Sequence, residues 1–109
     1  MKLVLNPQTK PQSVTLVADD VVIWTVNDSL DLLGNASYLG AQHIIARQCH
    51  FADEFFDLST RLAGDILQKF ANYRVKLTIE GEWREINSRA LRDFIRECNR
   101  GEAIEFLNV

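Results

Sequence analysis

The sequence has only two cysteines and two histidines, few glycines and prolines, and no long apolar run, and each scarcity excludes a class of protein. Cys49 and Cys98 stand alone without CxxC spacing, so neither a disulfide framework nor a zinc site is expected, and both read as core thiols. His43 and His50 are too few and too far apart to suggest a metal centre. The longest uncharged apolar runs span a few residues, far below the roughly 20 needed to cross a bilayer, and the start MKLVLNPQTK has no apolar signal core of roughly 7–15 residues. No Gly-rich phosphate loop, nucleophile-elbow serine, HExxH or calcium-loop spacing occurs, so no motif points to a cofactor.

What is present fits an ordinary globular chain: 109 residues, 47% hydrophobic and 25% charged, the size of one domain over residues 1–109. The net charge of −3 argues against a general nucleic-acid or anionic-membrane surface. The expected location is the cytoplasm.

KLVL and VTLVA read as strands joined by a loop whose Pro7 and Pro11 bar regular pairing, and the β-branched VVIWT reads as a short third strand. At NDSLDLLGNASYLG the period becomes helical, with Asn27 or Asp28 as cap, Leu30, Leu33 and Ser37 or Tyr38 turned partly inward, and Gly40 at the exit. AQHIIARQ supplies a strand centred on Ile44 to Ala46. In VKLTIEG, Val75, Leu77 and Ile79 alternate with Lys76, Thr78 and Glu80, as in a strand with one wet side or an edge position. Ser88 to Arg100 is helical with Asn87 or Ser88 as cap and Gly101 after its end, and AIEFLNV closes as a strand. The order β-β-(β)-α-β-α-β-α-β predicts an α/β fold, a mixed sheet with helices packed on it.

Arg89, Arg92, Arg96 and Arg100 fall within about 80° of arc on the last helix, opposite Leu91, Ile95 and Cys98. Asp93 and Glu97 interleave at pairing distance, as on a solvated face; the alternative is a docking or phosphate-contact role. Trp24 and Trp83 sit beside strand ends, where an indole either marks a partner surface or seals a core edge. His50, with Cys49 or Asp57, is the one candidate nucleophile-and-base grouping, near the carboxyl end of the Ile44 strand.

The densest pattern is HFADEFFDLSTRLAGDILQKFANYR, with Ser59 and Thr60 in its middle. As one helix from Glu54 to Tyr73 capped by Asp53, it gathers Phe55, Leu58, Leu62, Ile66, Phe70 and Tyr73 on one half of the wheel and buries Ser59 among them. As a broken helix, Phe55, Phe56 and Leu58 plug the core and the helix proper begins near Ser59, whose hydroxyl caps it. The free N–H groups around Thr60, Arg61 and Leu62 then make an anion site. Periodicity alone slightly favours the continuous helix.

EFFDLSTRLAGDILQKFANYRVKLTIEGEW followed by SRALRDFIRECNRG, with DSLDLL, SYLGA and the closing AIEFL, resembles a bacterial family of small stand-alone proteins known only as domain of unknown function 4180. The resemblance covers most of the chain. In that family's pattern Thr60 matches, lysine is common at Ser59 and glycine at Arg61, and a lysine-tolerant position does not belong in the middle of a core face. The resemblance therefore implies the broken helix. More distantly, the element order and the hydroxyl at this helix start are similar to STAS domains, in which a serine here is a phosphorylation switch; the DSSG-like run of those domains is absent, and DLSTRLAG is a loose counterpart.

Together these readings predict a non-catalytic regulatory or protein-interaction module, with Asp57, Ser59, Thr60 and Arg61 as its contacts and Thr60 the stronger hydroxyl candidate. The alternative is a small-ligand protein or enzyme with a pocket near Cys49, His50 and Asp57. A protein partner or a second copy of the chain is the expected binding partner.

Overall fold

A computed structural model describes residues 1–109. Its elements run β1 (Lys2–Asn6), β2 (Ser13–Val17), α1 (Val26–Tyr38), β3 (His43–Arg47), α2 (Asp53–Phe56), α3 (Leu62–Tyr73), β4 (Lys76–Gly81), α4 (Arg89–Arg100) and β5 (Ile104–Asn108). The five strands form one mixed sheet, as the α/β reading predicts, and its spatial order is β1-β2-β3-β4-β5. β1 is antiparallel to β2 as a hairpin, and the remaining pairs are parallel.

This order decides where the helices go. Each crossover from β2 to β5 steps to the next strand in the same direction, and right-handed crossovers that never reverse place every helix on one face. The register agrees: Leu16, Val14, Ile44, Ala46, Leu77, Ile79 and Phe106 share one face and are buried in a single core with Leu32, Ile66 and Phe70 from the helices. The opposite face carries Val4, Thr15, Ile45, Lys76, Glu80 and Glu105, none fully buried, and the polar Ser13 and Thr78, which are buried among polar neighbours. A parallel sheet covered on both sides reads as continuous apolar runs; this one alternates because one side is open. β4 is therefore a central strand with one polar side, not an edge strand.

The expected third strand is corrected. VVIWT forms only a bridge from Ile23 to Phe51, with the Val22 and Ile23 N–H groups donating to the His50 carbonyl. Its β-branched residues serve the core instead, Ile23 being buried. Helix α1 starts earlier than expected. The Thr25 hydroxyl accepts the Asp28 N–H at 3.2 Å while the Asp28 carboxylate accepts the Thr25 N–H at 3.0 Å, a reciprocal cap. That start sets the inward face as Ser29, Leu32, Leu33 and Ala36, leaving Tyr38 91% exposed rather than turned inward. Gly40 leaves the helix at φ 77.

The long central helix does not exist as one piece. α2 ends at Phe56, a 3-10 turn covers Leu58–Thr60, and α3 begins at Leu62. Phe55 is buried and Phe56 half-buried, and an aromatic row runs from them through Trp83 to Phe106, with centroids 5.0 Å apart for Phe55 and Phe56, 5.7 Å for Phe56 and Trp83, and 5.0 Å for Trp83 and Phe106. Tilted and edge-on pairs of this kind add about 0.5–1.5 kcal/mol each beyond the area they bury. This row fastens the break to β4 and β5.

Candidate functional site

The break between α2 and α3 is built from the hydroxyls and carboxylate that the sequence sets there. Asp57 Oδ1 accepts the Ser59 N–H at 3.1 Å and the Ser59 hydroxyl at 2.6 Å, an aspartate turn that competes with helical hydrogen bonding. The Thr60 hydroxyl lies 2.7 Å from the Glu54 carbonyl and 2.8 Å from that of Asp57, and accepts the Leu62 N–H at 3.2 Å. It thus ties the end of α2 to the start of α3. Arg61 then takes the left-handed conformation, φ 64 and ψ 5, which ends any continuous helix, and its carbonyl accepts the Asp65 N–H at 3.0 Å.

The cap expected at Ser59 is corrected by this geometry. The helix proper starts three residues later, at Leu62, and the Ser59 hydroxyl donates to Asp57. Thr60 meets the first N–H of α3, while those of Ala63 and Gly64 have no backbone partner. Asp57, Ser59, Thr60 and Arg61 are all exposed, and the Arg61 guanidinium has no ion pair. The side-chain and backbone hydrogen bonds from Ser59 hold the Asp57 carboxyl below the ordinary carboxylate range.

Cys49, His50 and Asp57 do not share one cavity. Cys49 lines a hollow with Val21, Asp53 and Val109, His50 lines another with Thr15 and Asp19, and Asp57 lines neither. His50 is buried: its Nδ1 accepts the Arg47 N–H at 3.0 Å, so Nε2 donates to the Ala18 carbonyl at 3.0 Å. With both ring nitrogens tied to backbone, it has no atom left to act as a base. Cys49 is exposed on the 3-10 turn Gln48–His50, against the expectation of a core thiol, because successive residues of such a turn point about 120° apart and His50 takes the inward direction. Cys98 is half-buried, and burial pushes its thiol up.

A cluster that sequence reasoning missed lies on the open face. His43 Nε2 and the Thr78 hydroxyl are 2.8 Å apart, and that hydroxyl donates to Glu105 Oε1 at 3.0 Å, so the histidine N–H donates to Thr78. Desolvation and the Lys76 charge lower the His43 pKa, against an opposing pull from Glu105. The three residues lie on three neighbouring strands, Thr78 directly opposite Glu105 and His43 diagonal to Thr78, 35 and 27 positions apart in sequence, and no local pattern joins them. The arginine stripe on α4 has the predicted carboxylate partners: Asp93 lies 4.0 Å from Arg89 and 3.6 Å from Arg96, and Glu97 lies 3.3 Å from Arg100. Of the two tryptophans, Trp83 is buried and Trp24 is 58% exposed.

A family model described as Domain of unknown function (DUF4180) matches residues 8–109. The chain belongs to the DUF4180 family. No curated protein and no solved structure matches it. No helix is long and apolar enough to cross a membrane, and no three His, Cys, Asp or Glu side chains converge to hold a metal ion.

Proposed function

We propose that this DUF4180 chain is a single-domain, cytoplasmic, non-catalytic regulatory module that docks a protein partner or a second copy of itself through the Asp57–Arg61 turn. The observation that carries the reading is the exposure of that turn together with its internal order: Ser59 and Asp57 are fixed to one another at the surface. The element order and the position of the hydroxyls, between the strand His43–Arg47 and the helix Leu62–Tyr73, support a STAS-like mode of action.

In this reading Ser59, not Thr60, is the modifiable hydroxyl. The Thr60 hydroxyl is spent on the backbone of both flanking helices, whereas that of Ser59 touches only Asp57. A phosphate on Ser59 would set two or so negative charges beside the Asp57 carboxylate, about the arrangement that dissolves a turn by like-charge repulsion. The test compares partner recovery by the wild type, Ser59→Glu and Arg61→Glu, with titration of each purified partner and sedimentation over a range of protein concentrations. Loss of a defined complex in both variants is expected; identical recovery, affinity and oligomeric state in all three proteins would remove the turn as a docking surface.

A further inference from the structure

The arginine stripe of α4 does not simply face solvent. It forms one wall of a cleft of about 500 Å³ between α4 and the end of the sheet, within the roughly 300–1,000 Å³ usual for small-molecule sites. Arg92, Arg96 and Arg100 line it from the helix and Arg84 joins them from the loop after β4, while no aspartate or glutamate lines it. Four of the eight arginines of an acidic chain thus converge on one hollow.

These cations have few competing commitments. Arg84 has neither an ion pair nor a side-chain hydrogen bond, and Arg92 Nη1 donates to the Ile86 carbonyl at 3.1 Å without a carboxylate partner. Arg96 and Arg100 reach Asp93 and Glu97 through exposed pairs, which open at little cost. Arg92, Arg96 and Arg100 are spaced four residues apart, where like charges oppose each other until an anion intervenes.

The floor narrows the occupant further. Trp83 and Phe106 supply buried ring surface, and the Trp83 indole N–H already donates to the carbonyls of Ile79 and Leu107, both at 3.1 Å. At the sheet edge, the Asn99 side chain takes both outward backbone groups of Phe106, accepting its N–H at 2.7 Å and donating to its carbonyl at 3.1 Å. An added strand would find those groups occupied, so pairing of a peptide along this edge is disfavoured. Asn108 Oδ1 accepts the Trp83 N–H at 2.9 Å, which leaves its amide donors for the cleft. The hollow therefore offers cationic and amide donors over an apolar floor.

We infer that the α4–β5 cleft binds a small molecule carrying one or two phosphate groups, clamped by the guanidiniums of Arg84, Arg96 and Arg100, with its non-ionic part against Trp83 and Phe106. This site is independent of the Asp57–Arg61 turn and would stand if that docking surface failed.

The probe is inorganic pyrophosphate, titrated into the full chain and followed by the indole N–H resonances in proton–nitrogen correlation spectra at constant ionic strength. The Trp83 signal should shift saturably while that of Trp24 stays in place. Arg84→Gln and Arg96→Gln should each weaken binding by roughly tenfold or more, the effect of losing one charge-assisted contact, whereas Arg89→Gln, on the same helix but outside the cleft, should bind as the wild type. A shift reproduced by sodium chloride at equal ionic strength, no saturable shift, or equal losses in Arg89→Gln and Arg96→Gln would overturn the site.

Discussion

Arg61 offers a decisive test of the broken helix, because glycine and alanine there should act in opposite senses on the two geometries. Arg61 sits at φ 64, ψ 5 with an exposed side chain that makes no ion pair, so its removal forfeits little. The left-handed conformation costs a non-glycine residue about 1–2 kcal/mol, and glycine adds about 0.5–1 kcal/mol of unfolded-state entropy. Arg61→Gly should therefore be more stable than both the wild type and Arg61→Ala by about 0.5–1 kcal/mol. Were residues 54–73 one helix, glycine in its middle would instead be about 1 kcal/mol less stable than alanine. Urea unfolding at unchanged slope reads the difference, which amounts to several degrees in Tm for a domain of about 100 residues. Arg74, at φ 56 just past the end of α3, gives the calibration, since glycine should help there in either geometry. Arg61→Gly falling below Arg61→Ala would refute the break.

Two further outcomes follow from the sheet. Burial and Lys76 hold the His43 pKa below its ordinary 6.5, so the unfolded chain takes up this proton first as pH falls. His43 should therefore make stability decline as pH drops through about 6.5 and level off once the lower folded-state pKa is passed; His43→Gln should flatten that part of the curve in urea titrations, and an unchanged slope would count against it. Gly81→Ala should lose about 1–3 kcal/mol, since its methyl would stand 2.6 Å from Gln48 Oε1 and 2.8 Å from Trp83 Cζ2. An unfolding midpoint like that of the wild type would contradict that packing.

Local periodicity made the alternation of Leu77, Thr78 and Ile79, a cap at Asn87 or Ser88 and the paired arginine stripe legible in the chain, because each involves residues within a turn or strand of one another. The same short-range rule misled where local signals competed. The apolar wheel from Phe55 to Tyr73 reads as one helix, yet the Asp57–Ser59 and Thr60–Leu62 hydrogen bonds break it, and the Arg61 backbone completes the break. Cys49 and His50, adjacent in sequence, part company on a 3-10 turn that their residue types do not announce. Only tertiary structure set His43 beside Thr78 and Glu105, and Arg84 beside the stripe of α4, since strand register and crossover direction bring together residues that no sequence period relates. The sequence by itself determined the five segments that pair in the sheet and the apolar alternation of β4, a matter of neighbouring side chains, but not that VVIWT would leave the sheet or that Tyr38 would face outward. The order of strands, and with it one covered face, one open face and a cleft at the far edge, was decided by how the crossovers packed.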